Sequence, residues 1–244
     1  MAYELSPNNM FRIDLNSCCS MDISPRFPIP TNQIDSYKRR FNLPSLQTRA
    51  RLNTNVSSIF ENPTISRSVQ ALRDVQTTMR TEASHRDLFN DTVFSGIYLS
   101  PICHDMLSMR SHLEGNNAAL ALQEAFRLAC IIYISELRAL FGFPAITQSK
   151  YTSKLQNLLY YSAIDWLVPD PFLLWVLAVV VTAHKIGLEQ RKWFIATFRI
   201  VLGTQEVESF EDLISRLSKI LWNEGLLRSH SQTLRLIMAQ DVLE

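Results

Sequence analysis

The sequence predicts an all-α protein, and three observations carry that prediction. From residue 63 onwards apolar residues recur three and four positions apart, the spacing of one helix face. No alternating strands with hairpin signals interrupt that period. Two segments, 118–142 and 166–194, contain whole helical turns without a charge, namely Leu128 to Ile134 and Phe172 to Ala183. A helix that is apolar all round either sits at the centre of a helical protein or crosses a membrane. The second run is twelve residues long, between Asp170 and the His184–Lys185 pair. A bilayer span takes ~20 apolar residues, so both are expected to be central helices of a protein with no membrane partner.

The elements follow in order. Residues 1–62 hold five of the ten prolines, from Pro7 to Pro44, spaced by Asn, Ser and Thr, and Pro63 closes the segment. Such a stretch has little apolar surface to offset its ordering entropy. It is expected to be a disordered tail with short pieces docked on a domain that covers 63–244. In that domain Ile65, Val69, Leu72, Val75 and Met79 form the first stripe, with Thr64 as the expected N-cap after Pro63. Ser84 and Asp87 open a second pattern towards Arg110, broken at Gly96 or Pro101. A third helix is expected over 117–141, and a fourth around Tyr151, Leu155, Leu158 and Leu159. Asp170 followed by Pro171 marks the start of the fifth, an acceptor at the cap with proline in the first turn. Trp193, Phe194, Phe198 and Val201 face one side of a sixth. Ser209 caps a seventh with the stripe Phe210, Leu213, Ile214, Leu217, Ile220 and Leu221 and an Asp212–Arg216 pair on its wet face. A last helix covers 229–242. Gly115, Gly142, Gly187, Gly203 and Gly225 fall between these patterns, where a left-handed residue suits a helix end.

Composition restricts function. A net charge of +1 over 244 residues argues against duplex DNA as a partner for the whole surface. The four cysteines, Cys18, Cys19, Cys103 and Cys130, have neither disulfide-framework nor zinc-site spacing. A reducing intracellular compartment fits, and the first residues lack a secretory signal pattern.

No catalytic motif stands out, so the chain is not expected to be an enzyme. The histidines, His85, His104, His112, His184 and His230, form no zincin motif. Cys103 and His104 are adjacent, and neighbours on a helix point ~100° apart, so they read as helix interior. Nucleophile elbow and glycine-rich phosphate loop are both missing. Asn90–Asp91 with Ser95 vaguely matches a metal motif of terpene synthases, but the aspartate-rich first motif is lacking, and an N-cap accounts for the pair better. Neither a metal nor a cofactor is expected.

Three further features need weighing. Lys38, Arg39 and Arg40, with Arg49 and Arg51 beyond them, form a short basic cluster that could serve nuclear import or be a solvated linker. His184 and Lys185 complement the dipole at the end of a central helix. Tyr133, Trp175 and Trp193 are the candidate lining of a pocket between the 118–141 and 171–186 helices; the plainer reading is core.

The runs EAFRLACIIYI (124–134), PFLLWVLAVVVTAHKIG (171–187), EQRKWFIATF (189–198) and FEDLISRLSKILWNEG (210–225) together resemble the fungal-specific transcription factor domain. That domain is the helical regulatory region C-terminal to a fungal zinc binuclear cluster. The resemblance covers about residues 64–240 and is carried by Glu124, Arg127 and Tyr133, then Pro171 to Trp175, then Arg191, Trp193 and Phe194, then Leu221–Trp222. It implies a nuclear, or nuclear and cytoplasmic, transcriptional regulator that binds a small-molecule effector or a protein partner such as a zinc-cluster factor. The six-cysteine cluster is not in this sequence, so direct DNA binding is not expected from it. The alternatives are a helical interaction scaffold and a helical metal-dependent enzyme.

Overall fold

A computed structural model describes residues 7–40, 62–84, 87–109, 118–143, 148–162, 164–166 and 168–239. Among them are ten α-helices and no strands, as the sequence predicts. They are α1 (Pro7–Met21), α2 (Thr31–Arg40), α3 (Pro63–Ala83), α4 (Thr92–Ser108), α5 (Ala118–Ala139), α6 (Gln148–Tyr161), α7 (Pro171–Thr182), α8 (Leu188–Thr204), α9 (Phe210–Ile220) and α10 (Arg228–Ala239).

Helix α7 is the axle of the fold. Every residue from Phe172 to Thr182 is buried, and α5, α8, α9 and α10 all pack against it. Burying an aliphatic or aromatic side chain contributes about 1.5–3 kcal/mol each, so this short helix is held by its surroundings on all sides. Its start follows the local signal: Asp170 Oδ1 accepts from the N–H groups of Phe172 and Leu173 at 2.7 and 3.2 Å. Helix α5 is long and apolar enough to cross a membrane by length and composition, and most of its apolar window is buried in the protein. Its neighbours are α4, α6 and α7.

The N-terminal segment supplies docked pieces of the kind expected. Helix α1 packs on α4, and Phe11, Leu15 and Cys18 belong to the main core. Their spacing is that of one helix face, which is enough apolar surface to dock fifteen residues. His104 Nε2 lies 3.2 Å from the Phe27 carbonyl oxygen, and the thiols of Cys19 and Cys103 are 3.3 Å apart. The adjacent Cys103 and His104 thus fasten the N-terminal segment to α4.

Helix boundaries differ from expectation where a cap was misassigned. Asn62, not Thr64, caps α3; its Oδ1 accepts from Thr64 N–H at 3.0 Å with Pro63 in the first turn. Ser84 ends α3, and α4 begins only after Asp91, whose carboxylate accepts from Val93 and Phe94 N–H at 3.1 and 3.0 Å. Helix α4 then runs through both Gly96 and Pro101. Ser209 caps α9 as expected, accepting from Asp212 N–H at 3.1 Å. Among the described glycines only Gly142 takes a left-handed backbone, with φ 76°. Asp22 and Glu206 fill the same role after α1 and α8, with φ 50° and 51°. At each of these three ends the following N–H reaches back five residues to a carbonyl: Ile23 to Cys18, Phe143 to Arg138, Val207 to Leu202.

Candidate functional site

Two buried polar clusters and one aromatic cluster lie along α5. Near its start Arg127 is 3 % exposed and donates to Glu124 Oε2 (2.7 Å), Glu124 Oε1 (2.6 Å), Asp22 Oδ1 (3.1 Å), Asp22 Oδ2 (3.4 Å) and the Met106 carbonyl (3.4 Å). A guanidinium has five N–H donors, and all five are used. Lys154 Nζ also reaches Asp22. Burial alone would raise the Asp22 carboxyl, but the hydrogen bonds and charges of Arg127 and Lys154 hold it below its usual value. The Glu124–Arg127 pair carries part of the resemblance; its partner Asp22 was invisible as such in a segment expected to be tail.

In the middle of α5 Tyr133 meets Trp175 of α7 at 5.6 Å between ring centroids and Trp222, after α9, at 6.4 Å. Trp175 Nε1 donates to the Leu221 carbonyl at 2.5 Å, and the Tyr133 hydroxyl pairs with Gln76 of α3. Both side chains are fully buried with their polar ends satisfied. Trp193 is partly buried and makes its ring contact with Phe194, centroids 4.9 Å apart. Of the three residues expected to share a pocket wall, the structure brings Tyr133 and Trp175 together in the core.

Near the end of α5, Glu136 is 2 % exposed and faces two histidines. Its Oε1 accepts from Gln148 Nε2 at 2.6 Å and from the His184 backbone N–H at 3.0 Å. Its Oε2 lies 2.5 Å from His184 Nδ1 and 3.1 Å from His230 Nε2. The imidazole rings are 5.0 Å apart and edge-on. Gln148 Oε1 accepts in turn from Lys185 N–H at 3.1 Å. Burial would raise the Glu136 carboxyl, but the facing His230 imidazole and the donors of His184 outweigh it and pull the pKa down to about 2. His184 therefore does more than complement a helix dipole: it lies just past α7 and ties the chain to α5. Sequence reading missed this cluster because Glu136 and His184 are separated by 48 residues and belong to different elements. No spacing motif could have joined them.

Two further features lie at the surface. A cleft of about 450 Å³ is lined by Phe210, Glu224, Gly225, Arg228, Gln232 and Arg235, with Ser231 at its floor. Arg235 stacks over the Phe210 ring at 4.4 Å. The basic cluster begins at the end of α2. There Lys38 lies 5.3 Å from the Tyr98 ring centroid and Arg39 donates to the Asp35 carbonyl at 3.3 Å. The Arg40 side chain, Arg49 and Arg51 lie outside the described residues, as do His85 and His112.

Comparison with known proteins gives no match to a family model, a curated protein or a solved structure.

Proposed function

We propose that the chain is a helical regulatory domain that acts on transcription through a protein partner or a small-molecule effector. The observation that supports this reading is the convergence of the four resembling segments. They lie on α5, α7, α8 and α9, and α7 packs against the other three. Residues that carry the resemblance also join segments: Tyr133 of the first touches both Trp175 of the second and Trp222 of the fourth. A shared aromatic centre would explain why these residues recur in that order. Regulation then works as a population shift: the effector or partner binds one arrangement of the helices better and changes access to another surface. The cleft beside Arg228 and Arg235 is where an anionic effector would bind.

The test is to fuse the chain to an unrelated DNA-binding domain and tether it upstream of a reporter. Reporter output should change several-fold in either direction. Deleting the gene in its native cell should alter transcript levels. An inert fusion together with an unchanged transcript profile would overturn the reading and leave an interaction scaffold.

A further inference from the structure

We propose that Glu136, His184 and His230 form a binding site for one zinc-class metal ion, which clamps α10 and the turn after α7 onto α5. The transcriptional reading is not needed for this.

The donor set comes first. Two imidazoles and one carboxylate offer atoms that all lie within 4.8 Å of one another. Imidazole with carboxylate suits zinc and its neighbours, whereas magnesium and calcium take oxygen ligands. The carboxylate is divided between two tasks. Oε1 is anchored by Gln148 and by the His184 N–H, which leaves Oε2 facing both rings.

The second observation is His230. It is 5 % exposed, and its Nε2 is buried without a hydrogen bond, although Glu136 Oε2 lies 3.1 Å away. A buried ring nitrogen aimed at a carboxylate without hydrogen-bond alignment wants another partner. Its other nitrogen, Nδ1, lies 3.3 Å from Ser229 Oγ. Ligating histidines use such a contact to fix the ring and present the free nitrogen to the metal.

Geometry allows the ion. Zinc bonds of ~2.0–2.1 Å in a tetrahedron place donor atoms about 3.3 Å apart. The His230–Glu136 separation of 3.1 Å is close to that already. The His184–Glu136 separation of 2.5 Å has to open by less than about 1 Å. His184 can make that movement, because its side chain is 58 % exposed. The same exposure gives the ion a route in and leaves the fourth position to water.

The test uses the full chain, stripped with EDTA and titrated with Zn²⁺ by calorimetry. One equivalent should bind. At a hundredfold excess over Kd the melting temperature should rise by roughly 5–10 °C, and Co²⁺ should give the visible bands of a tetrahedral site. His184→Ala removes an exposed ligand and should fold, with stoichiometric uptake lost. Gln148→Ala should weaken affinity about 10–100-fold. Uptake below half an equivalent, or full uptake retained in His184→Ala, overturns the proposal. If His184→Ala fails to fold by circular dichroism, imidazole NMR of the wild type decides. Resonances of His184 and His230 that do not shift with zinc overturn it equally.

Discussion

The two ends of α5 bury polar groups in opposite ways. At the Arg127 end every donor is matched, and the charges of Asp22, Glu124, Arg127 and Lys154 cancel. At the Glu136 end one carboxylate serves two histidines, one of which keeps a buried nitrogen without a hydrogen bond. About 13 Å of helix separates them at 1.5 Å per residue, and the dry Tyr133–Trp175 contact lies between. The closed cluster can only be broken. The open one keeps a buried nitrogen without a hydrogen bond. A fully satisfied buried network rigidifies a core, whereas a buried group left without a hydrogen bond requires an explanation, of which a bound ion is one.

The largest effect should come from breaking the closed end. Arg127→Ala leaves the buried Asp22 and the partly buried Glu124 carboxylates without their main partner, and removing one member of a buried ion pair costs about 3–5 kcal/mol. Urea unfolding should show that loss. Replacing Asp22, Glu124 and Arg127 together with apolar residues should restore much of it, because the penalty is the uncompensated charge. A triple variant as unstable as Arg127→Ala would mean that packing, not charge, dominates there.

Trp175→Ala tests the dry middle. It empties the contact between α5 and α7 and leaves the Leu221 carbonyl unpaired, for an expected loss of about 3–5 kcal/mol. An unchanged melting temperature would instead place Trp175 on a pocket wall, the alternative that the sequence leaves open.

How much of this was legible in the sequence depends on whether the cause is local. The start of α7 was legible, because Asp170 and Pro171 are neighbours and a cap needs nothing else. Ser209 was legible for the same reason. The position of α1 was written in the spacing of Phe11, Leu15 and Cys18, but the surrounding prolines outweighed a stripe of three residues. The left-handed ends at Asp22 and Glu206 were not legible, because a carboxylate residue does not announce a positive φ as glycine does. The Glu136 cluster was not legible at all. Its members lie on α5, after α7 and on α10, and only the packing of those helices brings them into reach.

Acid should weaken the closed end through Asp22. The Asp22 carboxyl is held below its usual value, so the stability it contributes is fully present above its unfolded pKa of roughly 3.9. It is lost as pH falls through the lower folded value, since the unfolded chain then binds the proton more readily. Melting temperature followed from pH 5 to pH 2 should fall steeply in the wild type. The fall should be shallower in Asp22→Asn, where Asp14, also depressed and held by Arg26, and Glu136, pulled down to about 2, still contribute. Parallel curves would remove Asp22 as the source of the acid sensitivity.

The smallest effect should come from His184→Ala in metal-free protein. The ring is more than half exposed, so its side-chain contact with the buried Glu136 carboxylate is partly screened by water. Exposed pairs contribute at most about 1 kcal/mol. The backbone N–H of residue 184 still donates to Glu136 Oε1 after the substitution, and Gln148 still holds the same oxygen. The turn after α7 should therefore keep its place, and unfolding by urea should shift by less than about 1 kcal/mol. A loss as large as that of Arg127→Ala would mean that the Glu136 end is closed in the same sense as the Arg127 end. His184 would then be a structural partner of the carboxylate, and the contrast between the two ends of α5 would disappear.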